Sequence, residues 1–217
     1  ERQVKSKYVT TAEFYSHRFH IRDLAFSPLH LGGRLFQQYI VDMAAKIEHN
    51  RLNWVRKNQK TLRAEVYQGL KDALQEADGD ASKVGKKMVL PATFGGSPRA
   101  MQQNYQDAMA IVRHYGKPDL FITMTCNSKW PEIVESLKPY EKPEDRPDII
   151  ARVFNMKLNE LIDDLQKKHI FGRVTGFVHV VEFQKRGLPH AHILVILHQD
   201  DKPHPDTYDE YVSAEIP

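Results

Sequence analysis

The sequence predicts an α+β fold, with a helical N-terminal region followed by an antiparallel sheet built in the order strand, helix, strand, strand. Three observations carry this expectation. Apolar residues recur at helical spacing through the first ninety positions, a long amphipathic segment occupies 148–169, and the stretch 174–197 divides into two β-rich runs around a Gly-containing turn.

In chain order, Leu35, Phe36, Tyr39, Ile40, Met43 and Ile47 mark one helical face, and Leu62, Val66, Leu70, Ala73 and Leu74 mark another. Gly79 and Gly85 then punctuate a polar connector, which sets a boundary near Val89 to Ala92 and divides the chain into 1–90 and 91–217. The second part opens with Phe94-Gly95-Gly96-Ser97-Pro98. Ser97 can cap a helix whose first position takes Pro98, whose apolar face carries Met101, Tyr105, Ala108, Met109 and Val112, and which stops at Gly116. Alternation and β-forming residues predict a strand over 119–126, ended by Trp130-Pro131. A Pro-rich charged loop over 138–147 leads into the helix over 148–169, which carries Ile150, Val153, Phe154, Leu158, Leu161, Ile162 and Leu165 on one face. Strands over 174–183 and 188–197 complete a βαββ order, most of a ferredoxin-like split unit whose sheet is covered by helices on one face. The polar tail from Asp200 to Pro217 reads as a loop.

Composition narrows the function classes. The 41% hydrophobic and 27% charged content is that of an ordinary globular protein, and no apolar run approaches the roughly 20 residues that span a bilayer. With no signal peptide either, the expectation is a protein neither secreted nor embedded in a membrane. The chain opens on Glu1 rather than Met, which suggests a piece of a longer protein. A single cysteine, Cys126, excludes an internal disulfide and a multi-cysteine zinc module and fits a reducing compartment. The net charge of +3 permits an anionic partner. Basic residues gather at Arg51, Arg56, Lys57, Lys60 and Arg63, at Lys83, Lys86 and Lys87, and at Lys185-Arg186. Such runs are also what a solvated helix face carries. Gly79 to Lys87 resembles a phosphate-binding loop only superficially. Five residues rather than four separate its glycines, and Lys87 stands where a Ser or Thr would hold Mg²⁺, so ATPase activity is not expected.

The chemistry concentrates between Glu182 and His192. His190 and His192 sit two apart on a strand and therefore share a face. If Lys185-Arg186-Gly187 is a three-residue loop closed by a left-handed Gly187, Glu182 falls opposite His190 and Val180 opposite His192. Opposed residues share a face with Cβ atoms about 5 Å apart, which groups one carboxylate with two imidazoles over Val180. That donor set suits a divalent cation, Mg²⁺ or Mn²⁺, presenting a phosphate.

Two histidines flanking one apolar residue on a strand resemble the signature of the HUH endonucleases, in which a tyrosine attacks DNA and becomes linked to the 5′ phosphate. A closer resemblance rests on Phe94-Gly95-Gly96-Ser97-Pro98-Arg99, Asn104-Tyr105-Gln106-Asp107-Ala108-Met109, the run from Gly116 to Asn127, and Trp130-Pro131-Glu132. These, with the helical part from Gly33 to Lys60, look like the Helitron helicase-like domain found at the front of rolling-circle transposases, and the likeness covers nearly the whole chain. The resemblance implies a HUH/Rep-type fold and nuclear location. It also implies a metal held by His190 and His192 with Glu182, and a strand from Phe121 to Asn127 contributing to a face that binds single-stranded DNA, with Thr125 and Asn127 at motif positions. Lys185 and Arg186 are the first candidates for phosphate contacts. The family carries a helicase domain, expected in the parent protein, and places its catalytic tyrosines on a helix well beyond the histidines, hence expected after Pro217. Tyr208 and Tyr211 are the local candidates, although Pro203 and Pro205 disfavour a rigid presenting helix. The implied reaction is metal-dependent nicking and joining of single-stranded DNA. The alternatives are a non-catalytic DNA-binding remnant of a transposase, and a metal hydrolase that uses water on the same ligands.

Overall fold

The computed structural model describes residues 8–22, 27–64, 88–184 and 187–212. The helical repeat from Val66 to Leu74, the connector around Lys83 to Lys87 and the loop tip Lys185-Arg186 lie outside the described residues. The chain divides into two compact units, one made of Glu1–Leu31 with Gln38–Tyr105 and the other of Gly32–Gln37 with Gln106–Pro217.

The first unit is helical. Helix α1 (Thr11–Phe19) starts at a reciprocal cap, in which Glu13 N–H donates to Thr10 Oγ1 at 3.2 Å and Thr10 N–H donates to Glu13 Oε2 at 2.8 Å. Helix α2 (Arg34–Lys57) receives it through Tyr39, whose ring lies edge-on to Tyr15 and Phe19. At the start of α3 (Gln59–Ala64) the Gln59 side chain bonds the Val89 backbone in both directions. Helix α4 (Pro98–Tyr115), whose residues after Tyr105 belong to the second unit, begins at the expected cap, with Ala100 N–H donating to Ser97 Oγ at 3.1 Å, and stops at Gly116 in the left-handed region (φ 99°).

The second unit holds the sheet. Strands β1 (Leu120–Thr125), β2 (Val174–Phe183) and β3 (Pro189–Leu197) are all antiparallel neighbours in the order β1-β3-β2. Between β1 and β2 lie the short helix α5 (Pro131–Ser136) and the long helix α6 (Pro147–Gln166). One face of the sheet presents Ala191, Ile193 and Val195, each without exposed surface, to Ile150, Val153, Phe154, Leu158 and Leu165 of α6. Fully burying a Val, Leu, Ile or Phe side chain of this layer contributes about 1.5–3 kcal/mol. Arg146 at the head of α6 is buried between Glu141 (3.3 Å) and Asp148 (3.0 Å). Burial opposes its charge, yet the Asp148 and Glu141 carboxylates hold the guanidinium above its ordinary pKa.

The mixed helix and antiparallel-sheet architecture agrees with the α+β expectation. Three details differ from it. Trp130-Pro131 does not simply end β1, because Pro131 takes the first helical position of α5, where its missing N–H costs nothing. The long helix stops at Gln166 rather than His169, since His169 turns into the left-handed region (φ 54°). The polar tail is partly ordered into turns and one helical turn, α7 (Tyr208–Tyr211).

Candidate functional site

The loop between β2 and β3 closes as counted from the sequence. Gly187 N–H donates to the Gln184 carbonyl at 2.7 Å, Gln184 N–H donates to the Leu188 carbonyl at 3.0 Å, and Gly187 has φ 77°. The register follows, with Glu182 opposite His190 and Val180 opposite His192. On the other flank β1 sets Thr125 opposite His190 and Thr123 opposite His192. Alternation therefore puts both histidines, Glu182, Val180, Thr123, Thr125 and Phe121 on the face turned away from α6.

Each histidine has a distinct surrounding. His190 is buried, and its Nδ1 is hydrogen-bonded to Thr125 Oγ1 at 2.7 Å. Thr125 thereby fixes the ring and leaves Nε2 as the nitrogen open to a further ligand. His192 Nε2 lies 3.1 Å from Glu182 Oε1. An ionised carboxylate only accepts, so Nε2 carries the hydrogen of that bond. The other nitrogen, Nδ1, is buried without a hydrogen-bond partner. A buried nitrogen left without a partner costs about 1–3 kcal/mol. Phe121 stacks on the His192 ring, with centroids 5.6 Å apart and planes within 5°, and the two imidazoles meet edge to face at 4.5 Å. Phe121 and Val180 are nevertheless more than half exposed, so an apolar fringe borders the polar centre.

Glu182, His190 and His192 are the residues that could hold an ion here. As placed, Glu182 is paired with His192 rather than shared with both rings, and among the described residues no group of three His, Cys, Asp or Glu side chains forms a ready metal cage. The donors themselves fit a hard-to-borderline cation. Two ligand bonds of roughly 2.1 Å meeting at a right angle set their donors about 3.0 Å apart, close to the 3.1 Å between His192 Nε2 and Glu182 Oε1.

The remaining candidates fall elsewhere. Asn127 is exposed and shapes the turn after β1, its Oδ1 accepting from Lys129 N–H at 2.9 Å and its carbonyl from Trp130 N–H at 3.1 Å. Tyr211 lies 6.2 Å, ring to ring, from Phe171, just before β2 begins. That end of the sheet is eight residues, or about 27 Å, from Glu182 along β2, so neither Tyr208 nor Tyr211 joins the histidines. Lys185 and Arg186 lie outside the described residues. Cys126 is buried, which pushes its thiol pKa up and leaves it unreactive. The sequence argument missed Phe121 as a partner of His192. Its signal was present in the β1 alternation, which puts Phe121 in phase with Thr123 and Thr125.

Fold and site together define a small α+β domain whose hairpin displays a polar, imidazole-rich face beside exposed aromatic surface. Residues 14–195 match the Helitron helicase-like domain at N-terminus, and the chain belongs to that family. None of the curated proteins compared with the chain matches it. Membership gives the chain a transposase-related role and association with nucleic acid. No described helix is long and apolar enough to cross a membrane.

Proposed function

We propose that this chain is the metal-binding half of a site that nicks and joins single-stranded DNA in the nucleus. The observation that carries the reading is the hairpin register, which sets Glu182 and His192 within 3.1 Å and His190 beside them on one open face. Mg²⁺ or Mn²⁺ is the proposed guest, and His190, His192 and Glu182 are the residues that would hold it. When bound, the ion polarises a phosphoryl oxygen and offsets the charge that develops at phosphorus. Thr125 orients His190, and Phe121 holds the His192 ring in its plane. The strand order supports a HUH/Rep relationship, because β1 and β2 run parallel on either side of β3, as the first three strands of a split βαββ unit do.

The reaction is a transesterification. A tyrosine hydroxyl oxygen gives up its proton and forms a bond to phosphorus, the bond to the 3′ oxygen breaks, and that oxygen takes up a proton and leaves as a hydroxyl. A helicase domain accompanies this one in the proposed parent protein. The pairing of Glu182 with His192 also favours a second reading, in which the histidine face binds DNA without turnover.

Mn²⁺ titration followed by electron paramagnetic resonance tests the metal site. The wild type binds the ion and the His190→Ala, His192→Ala double variant does not. Equal affinity in the two proteins would remove the site. With the parent protein, a labelled single-stranded oligonucleotide on a denaturing gel separates the reactions. A covalent adduct is expected, whereas cleavage without an adduct would assign the chemistry to water.

A further inference from the structure

A second feature of the molecule lies in the helical unit, outside the hairpin. Trp54 is 56% exposed although it is the largest kind of side chain. It lines an open, mainly apolar groove together with Arg51 and Val55 of α2 and with Pro91, Thr93 and Phe94 of the segment before α4. The groove is built rather than incidental. Gln59 grips the Val89 backbone at 2.9 and 3.0 Å, Phe94 N–H donates to the Pro91 carbonyl at 3.0 Å, and Ser97 Oγ donates to the same carbonyl at 3.3 Å. These bonds hold the Pro91 to Phe94 turn, and with it one wall of the groove.

Its size and chemistry narrow the occupant. The volume is about 260 Å³, below the roughly 300–1,000 Å³ of enclosed small-molecule sites. A flat aromatic ring beside an arginine suits a planar base with a phosphate attached. Arg51 makes no ion pair among the described residues, and Arg56, Lys57 and Lys60 continue the basic run along the chain. Glu48, one turn before Arg51, is the nearby acid on α2, and among the described residues from Glu48 to Lys60 the basic side chains outnumber it.

We propose that this groove holds one unpaired base of single-stranded DNA, stacked on Trp54, with the adjoining phosphate against Arg51. The inference rests on the reading of this chain as a DNA-acting domain and adds to it a strand-holding subsite independent of the metal. Every base has a stacking face, so the subsite is indifferent to sequence.

Fluorescence anisotropy with the whole chain, in EDTA, tests it. The probes are a labelled dT15 and a 15-mer of abasic units that keeps the phosphates. Trp54→Ala weakens dT15 binding about ten-fold, the order expected for one stacked base, and leaves abasic binding unchanged. Trp54→Phe retains most of the affinity, and Arg51→Ala weakens both probes. Equal loss on both probes for Trp54→Ala, no loss on either, or a wild type without measurable dT15 affinity would overturn the proposal, the last pointing to a protein partner for the groove. Because EDTA removes any ion, failure here is distinct from failure of the Mn²⁺ titration at His190 and His192.

Discussion

Replacing Thr125 by valine removes one hydroxyl and preserves the side chain's branched shape and its fit to a strand. The hydroxyl is hydrogen-bonded to His190 Nδ1 at 2.7 Å, and His190 is only 9% exposed. An orphaned nitrogen at such a site costs about 1–3 kcal/mol. Thr125 itself faces solvent, so water can replace part of the lost bond and the low end, about 1 kcal/mol, applies. With a urea m-value of about 2 kcal/mol/M, that is a midpoint shift of about 0.5 M. The larger effect falls on the ion. Loss of an outer partner that orients a ligating histidine lowers metal affinity by about 10–100-fold. Urea unfolding and Mn²⁺ titration of Thr125→Val and Thr125→Ser measure both quantities, and the serine variant, which keeps the hydroxyl, should restore the affinity. A valine variant that loses stability and binds Mn²⁺ as tightly as wild type would refute the positioning role. One that changes neither would refute the hydrogen bond itself.

Ile193→Ala opens a cavity where β3 meets α6, at a residue with no exposed surface, and should cost about 2–5 kcal/mol in urea unfolding. A loss under 1 kcal/mol would contradict that packing. Gly176→Ala brings a Cβ to 2.9 Å from Ile196 Cδ1 and 3.3 Å from Ile111 Cγ2, so about 1 kcal/mol should be lost as Ile196 swings aside, and a melting temperature at or above the wild-type value would contradict the close approach. Asp201 is held well below the ordinary carboxylate pKa by side-chain and backbone hydrogen bonds from Arg173. A depressed native pKa stabilises the fold above the unfolded value, near 3.9, and that contribution is lost as pH falls towards the native one. Asp201→Asn should therefore be less stable than wild type at pH 7, with the gap narrowing below about pH 4. A gap that is constant with pH in urea midpoints would rule the linkage out.

Much of this architecture is legible in the sequence because the determinants are local. Gly187 closes a loop of fixed length, and that alone pairs Glu182 with His190. The apolar period from Ile150 to Leu165 likewise marks the helix that covers the sheet. The details that escape are those set across strands. Sequence counting identifies the residue directly opposite, whereas Glu182 leans diagonally to His192 and leaves His190 to Thr125. The role of Thr125 depends on β1 lying beside β3 rather than beside β2, a choice that no local signal makes. Pro131 shows another limit, since the same residue that breaks a strand is favourable at the first position of a helix.

The two faces of β3 are not independent. A slip of one residue in its pairing would turn Ala191, Ile193 and Val195 to solvent and drive His190 and His192 against α6. The exposed apolar side chains and the buried, unpaired imidazoles would each be penalised, so the packing of the covered face fixes which residues the open face displays. The histidine end of the face turned away from α6 is thus free to carry poor packing, whereas Ile196 and Gly176 at its other end are buried. The cost at the histidine end, an orphaned His192 Nδ1 and an exposed Phe121, is borne by a register that the covered face enforces. Changes to the open face, such as Glu182→Gln or Phe121→Leu, should accordingly alter binding while leaving the β1-β3-β2 pairing intact, which the amide exchange protection of β3 would report.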